Sequence, residues 1–181
     1  MDDKSKILLV LDLDETLIHA SATEIESVEH DFICGDFFVY KRPGLEDFLH
    51  SIKNDFKISI WSSASDDYVT NIVSNIFPGD FPLEFIWGRS RCTLKRDYEL
   101  GTYFFSKQLK KLKRKGYELE KILIIDDSAE KVKDNFGNAI YITEFKGIPD
   151  NELEALSIYL QIIKSSQNVR IIEKRGWRTG K

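Results

Sequence analysis

The chain has 181 residues, 42% of them hydrophobic and 31% charged, with a formal net charge of −4. That length suits one compact domain. The charge excludes a bulk electrostatic attraction to nucleic acid or to an anionic membrane, and no window reaches the roughly 18 apolar residues that a membrane span requires. Two cysteines, Cys34 and Cys92, have neither CxxC nor metal-ligand spacing and read as free buried thiols of a reducing compartment. The polar start MDDKSK is not a secretory signal, so the expectation is a soluble, cytoplasmic protein.

Residues 6–11 form a short apolar run and predict a fully buried strand. Residues 20–35 are polar and acidic, and 36–41 (DFFVYK) predict a shorter strand. Arg42 to Gly44 (RPG) punctuate, with Arg42 anchoring the turn, and the apolar residues Leu45, Phe48, Leu49 and Ile52 then recur at helical spacing. A strand over 56–61 is followed by a helix capped by Ser65 or Asp66, and PGDFP ends that helix before a strand over 83–88. Residues 89–106 show no clear period and predict loops and small strands. A basic helix over 106–115 closes at Gly116. A strand over 121–126, a short helix stopped by Gly137, a strand over 139–142 and an amphipathic helix over 148–163 complete the pattern. The tail 165–181 is polar and basic, with disorder expected at its extreme end. The reading is a single domain over 1–164 followed by that tail. Apolar strands alternating with helices argue for an α/β fold, a parallel sheet covered on both faces.

In such a sheet, ligands bind beyond the carboxyl ends of the strands. The first strand ends in Asp12 and Asp14, the next core strand in Ser62 and Ser63, and a later one in Asp126 and Asp127. These clusters lie far apart in the chain, and the topology brings them to one rim. Several carboxylates on one rim repel unless a cation is present, and hard oxygen donors without histidine or cysteine select Mg²⁺ over Zn²⁺. Phosphate chemistry follows. One carboxylate can serve as nucleophile, giving an aspartyl-phosphate, and the second, two residues on, can protonate the leaving oxygen and later activate water. The competing readings are a helix cap for Asp126 and Asp127, turn residues at Ser62 and Ser63, and solvated surface roles for Lys107 and Arg89.

The stretch DLDETLIH resembles motif I (DxDxT) of the haloacid-dehalogenase (HAD) superfamily. The nearer resemblance is to its NLI-interacting-factor-like group, which includes the C-terminal-domain phosphatases of FCP/SCP type. VYKRPGLEDFL is similar to that group's next segment, IWSSAS to motif II, SRCTLKRDYELGTYFFSKQLKKL to the stretch with the motif III lysine, and ILIIDDSAEKVKDNFGNAIYI to motif IV. PDNELEALSIYL resembles the closing helix. The resemblance covers roughly residues 6 to 163, with its motifs in order.

It implies a Rossmann-like HAD core and a Mg²⁺-dependent phosphomonoester hydrolase. Asp12 would be nucleophile and metal ligand, and Asp14 general acid and base with its backbone carbonyl on the metal. Thr16, Ser62 and Lys107 would form the phosphate-binding set, Thr16 by orienting the loop. Lys95 and Arg96 compete with Lys107 for motif III, and Lys107 is preferred because it precedes QLKKL. Asp127 would be the second metal ligand, with Asp126 on or beside the metal, and Arg89 would contact substrate. Motif IV is Asp-Asp here, where the group often has Asp-Asn.

Segment lengths leave room for only a small β insertion after motif I and for no large cap. An exposed site favours phosphoserine or phosphothreonine in a protein, the alternative being a small phosphorylated metabolite. Two further readings are a receiver-like phosphoacceptor, which fits poorly because its acceptor position is Ser62, and a docking module with a degenerate HAD site. In a eukaryotic source the nucleus is a second location.

Overall fold

The computed structural model describes residues 6–99 and 101–179. In chain order the elements are β1 (Leu8–Leu11), β2 (Ile18–Ser21), β3 (Phe32–Cys34), β4 (Phe37–Lys41), α1 (Leu45–Ile52), β5 (Lys57–Trp61), α2 (Asp66–Ile76), β6 (Leu83–Trp87), β7 (Thr93–Arg96), β8 (Tyr103–Ser106), α3 (Lys110–Lys113), β9 (Ile122–Asp126), α4 (Ala129–Val132), β10 (Ala139–Tyr141) and α5 (Glu152–Ile163). Five strands pair in parallel in the order β10-β9-β1-β5-β6. Burial on both faces explains the unbroken apolar runs. Leu9, Leu11, Leu123 and Ile125 enter the core under α1, α2 and α5. Their neighbours Leu8, Val10, Ile122 and Ile124 point the other way, to Trp61, Trp87, Leu112 and Val132.

The insertion after β1 is a three-stranded antiparallel sheet in the order β2-β4-β3. Its turn into α1 needs Gly44, whose φ of 75° is left-handed. Arg42 fixes that turn to the body from a buried position. Its guanidinium donates to the Thr16 carbonyl (3.0 Å), the Thr143 carbonyl (2.8 Å) and both oxygens of Asp150 (2.7–3.1 Å). The guanidinium also lies over the Phe145 ring.

Three helices need correction. The helix over 106–115 contracts to Lys110–Lys113, because Ser106 pairs with Thr93 in a β7–β8 hairpin and leaves Lys107 at a strand end. The helix after Asp127 stops at Val132, because Asn135 turns inward. Its amide nitrogen donates to the Lys107 carbonyl (2.6 Å), and its oxygen accepts from the Leu109 N–H (2.9 Å). The closing helix starts at Glu152, where Asp150 accepts its N–H (3.1 Å).

The tail is part of the body as far as it is described. Val169 and Trp177 join the core, the Trp177 indole N–H donates to the Tyr141 carbonyl (2.9 Å), and Arg178 pairs with Glu152. A single tryptophan supplies that anchor inside a polar stretch, so average composition conceals it. The extreme end, Gly180 and Lys181, lies outside the described residues. Among the described residues no helix is long and apolar enough to cross a membrane.

Candidate active site

β1 ends in a turn that wraps around one carbonyl. Leu13 O accepts the N–H groups of Thr16, Leu17 and Ile18 at 2.8–3.2 Å, with Glu15 in the left-handed region at φ 59°. Asp12 N–H donates to Ile125 O across to β9 (3.0 Å). Asp12 thereby faces Asp126, the last residue of β9, and Asp127 just beyond it. One carboxylate oxygen from each of Asp12, Asp126 and Asp127 can be chosen so that all lie within 4.8 Å of one another.

Lys107 enters this rim fully buried, its ammonium 2.6 Å from Asp12 Oδ1 and 2.6 Å from Asp126 Oδ2. Burial pulls its pKa down, but the two carboxylates outweigh burial and hold it above the ordinary lysine value. Asp126 is pushed up to about 6, by burial above all; Lys107 opposes this and the Asp12 charge reinforces it. Burial, then Asp12, raise Asp127 as well.

Asp12 is 1% exposed, and although Lys107 lies at ion-pair distance, neither carboxylate oxygen accepts a hydrogen bond of ordinary geometry. Buried carboxylates need hydrogen bonds, a counter-charge or a metal. An all-oxygen donor set suits a hard ion. The residues therefore fit a hard metal cation, with Asp12, Asp126 and Asp127 as the side chains able to hold it.

The Asp14 side chain lies outside that set. It turns away, accepting from Tyr68 Oη (2.6 Å) and Ser62 Oγ (3.2 Å). Burial and then the Asp12 charge raise its pKa, against those two hydrogen bonds. Ser62 Oγ also accepts the Ala64 N–H (3.0 Å). Thr16 Oγ1 donates to Asp127 Oδ1 at 3.4 Å and so ties the β1 turn to the β9 end. Lys95 is held away by Asp134 (2.5 Å) and Arg96 lies over Tyr98, so among the three competing cations only Lys107 reaches the rim. Arg89 donates through Nε to Ser63 O (2.8 Å) and stacks over Phe105.

Sequence reasoning missed three neighbours. Tyr68, near the start of α2, holds Asp14. Lys131 lies four residues past Asp127, and that spacing is its one sequence signal. Glu15, lifted to about 7 by burial and then by Asp14 and Asp127, borders His19 at 3.2 Å. A groove of about 580 Å³ leads to Asp14, between Gly35, Asp36 and Phe37 of the insertion and Ser65, Asp67, Tyr68 and Asn71 of α2, with Arg89 on its lining.

The sequence around this site matches a known family. Residues 7–170 match the model of NLI interacting factor-like phosphatases. The chain belongs to that family. It is 31% identical over 172 residues to CTD small phosphatase-like protein 2 of Dictyostelium discoideum, covering 91% of this chain and 29% of that protein. The chain therefore spans less than a third of that relative.

Two solved structures share the fold. The fission yeast RNA polymerase II CTD phosphatase Fcp1-R271A bound to beryllium fluoride superposes with a TM-score of 0.60 at 18% identity, over 92% of this chain and 54% of the other. A haloacid dehalogenase-like family hydrolase from Xanthomonas campestris gives 0.57 at 11% identity, over 89% and 97%. The expected HAD-like α/β architecture holds.

Proposed function

We propose that this NLI interacting factor-like domain is a Mg²⁺-dependent phosphomonoester hydrolase that works through an aspartyl-phosphate on Asp12. The observation that carries the reading is the buried Asp12 carboxylate, which the Lys107 ammonium bridges to Asp126 and which lies with Asp126 and Asp127 in one acidic cluster. In the first step an Asp12 oxygen attacks phosphorus while the ester P–O bond breaks, and Asp14 gives its proton to the departing alkoxide. Water then attacks the same phosphorus, Asp14 takes its proton, and the bond to Asp12 breaks to release inorganic phosphate. The raised pKa of Asp14 suits a group that must hold that proton. Lys107 stays charged and neutralises the nucleophile and the phosphoryl oxygens. Thr16 keeps the nucleophile turn against Asp127. Bound Mg²⁺ supplies further positive charge beside the phosphoryl oxygens.

The open groove supports phosphoserine or phosphothreonine in an extended protein segment as substrate, with Arg89 at its edge contacting that segment. No cap covers the approach to Asp14 among the described residues. Hydrolysis of an aryl phosphate and of phosphoserine peptides, with and without Mg²⁺, tests the reading. Wild type is expected to turn over only with the metal, and Asp12→Asn and Asp14→Asn to be silent. A folded wild type inert toward aryl phosphates, phosphopeptides and small phosphates would replace it with the docking-module reading.

A further inference from the structure

The phosphoryl group on Asp12 has three non-bridging oxygens to satisfy, and the expected donors do not cover them. With Asp14 ionised, the Ser62 hydroxyl is directed at Asp14 and accepts the Ala64 N–H, so its proton is already used. Thr16 donates to Asp127. Lys107 sits on the Oδ1 side of Asp12, braced by Asp126. The other oxygen, Oδ2, is as buried as the first and equally without a hydrogen bond. The cation that faces it is Lys131, whose ammonium lies 3.9 Å away.

We infer that Lys131 is a second phosphate-binding cation of this site, engaging a phosphoryl oxygen from the Oδ2 side of Asp12, opposite Lys107; the inference rests on the phosphatase reading above. Its placement is specific. Lys131 and Lys133 both follow the acidic pair, yet Lys133 lies over the Phe104 ring while Lys131 turns inward. Three-quarters of the Lys131 side chain is enclosed, so its stem is held and its ammonium has a restricted reach. Burial alone would lower its pKa, but Asp12 and the neighbouring aspartates keep it charged. The same residue fixes its counterpart, because the Lys131 carbonyl accepts the Lys107 N–H (2.8 Å). One main-chain bond therefore links the backbones that carry the two ammonium groups. The Asp-Asp pair also places one more negative charge beside the nucleophile than Asp-Asn would, and Lys131 offsets it where it arises.

The test uses wild type, Lys131→Met and Lys131→Arg. Inorganic phosphate binding at saturating Mg²⁺, Mg²⁺ binding without phosphate, and steady-state turnover are each measured. Loss of one charge-assisted bond predicts that Lys131→Met binds phosphate about ten- to hundred-fold more weakly. Mg²⁺ affinity should not fall, and Lys131→Arg should recover most of the phosphate binding. Thermal melts of all three proteins separate this result from a folding defect. Unchanged phosphate affinity in Lys131→Met, with wild type binding phosphate and turning over, overturns the inference and leaves the phosphatase reading intact. So does tighter Mg²⁺ binding with phosphate unaffected, which would make Lys131 a competitor of the metal. A wild type that neither binds phosphate nor hydrolyses any phosphomonoester overturns both.

Discussion

Arg42 offers the most direct test of how the fold holds the turn after β1. Its buried guanidinium is shared among Thr16 O on the β1 turn, Thr143 O after β10 and Asp150 before α5. Arg42→Met keeps most of the volume and removes the charge. Breaking a buried ion pair from one side costs roughly 3–5 kcal/mol, because the partner groups stay unpaired. Asp150 keeps 30% of its side chain in water, so the lower end applies, about 3 kcal/mol. A domain of this size shifts by roughly 2–4 °C per kcal/mol, giving a fall of about 6–12 °C in Tm. Urea denaturation of Arg42→Met, Asp150→Asn and the double variant completes a cycle. Because the two side chains share one ion pair, the double variant should lose less than the sum of the two single losses. A single variant within about 0.5 kcal/mol of wild type, the range of an ordinary surface substitution, or a cycle without coupling, would refute it.

Two further outcomes follow from the same geometry. Gly88→Ala would place a Cβ 2.6 Å from Asp66 Oδ1 and 2.9 Å from its Cα. The start of α2 must then move, with a loss of roughly 1–3 kcal/mol in a chemical melt and a lower kcat, since α2 carries Tyr68 to Asp14; wild-type values for both would refute the close-packing argument. In acid, Asp150 and Glu152 matter. Burial raises both carboxyls, but Arg42 and the Glu152 N–H acting on Asp150, and Arg178 and the Thr143 N–H acting on Glu152, hold them below their ordinary values of 3.8 and 4.5. Their stabilisation is complete above those ordinary values and is lost as pH falls through them toward the folded-state values. The difference in urea midpoint between about pH 7 and about pH 3 should therefore shrink in Asp150→Asn, and an unchanged difference would contradict this linkage.

Much of this was legible in the residues because burial on both faces leaves a plain mark. Leu8 to Leu11 and Ile122 to Ile125 are unbroken apolar runs, and the carboxylates that end them cannot belong to the core. Strand ends on one rim follow from parallel topology, so Asp12, Asp126 and Asp127 could be brought together without coordinates. The place of Lys107 before QLKKL singles it out from Lys95 and Arg96, although the residue before it, Ser106, ends a hairpin strand where the basic spacing predicts a helix. The acidic segment 20–35 concealed β3, a strand of three residues that exists through its ladder with β4. No period marks so short an element. Tyr68 and Lys131 escaped because their roles depend on side-chain direction, which a helical spacing does not specify.

The C-terminal segment has a consequence for the protein's behaviour in company. β10 is an outer strand of the parallel sheet, and an uncovered outer strand invites pairing with strands of other molecules. Trp177 occupies the Tyr141 carbonyl there, with the Arg178 guanidinium beside it and fastened to Glu152. At the opposite margin, β6 carries a break in register against β5 and the charged Glu84, features that hinder continuous pairing. The same short tail that adds an aromatic to the core thus shields one margin of the sheet, and a chain cut before Trp177 would present Tyr141 as a site for intermolecular strand addition.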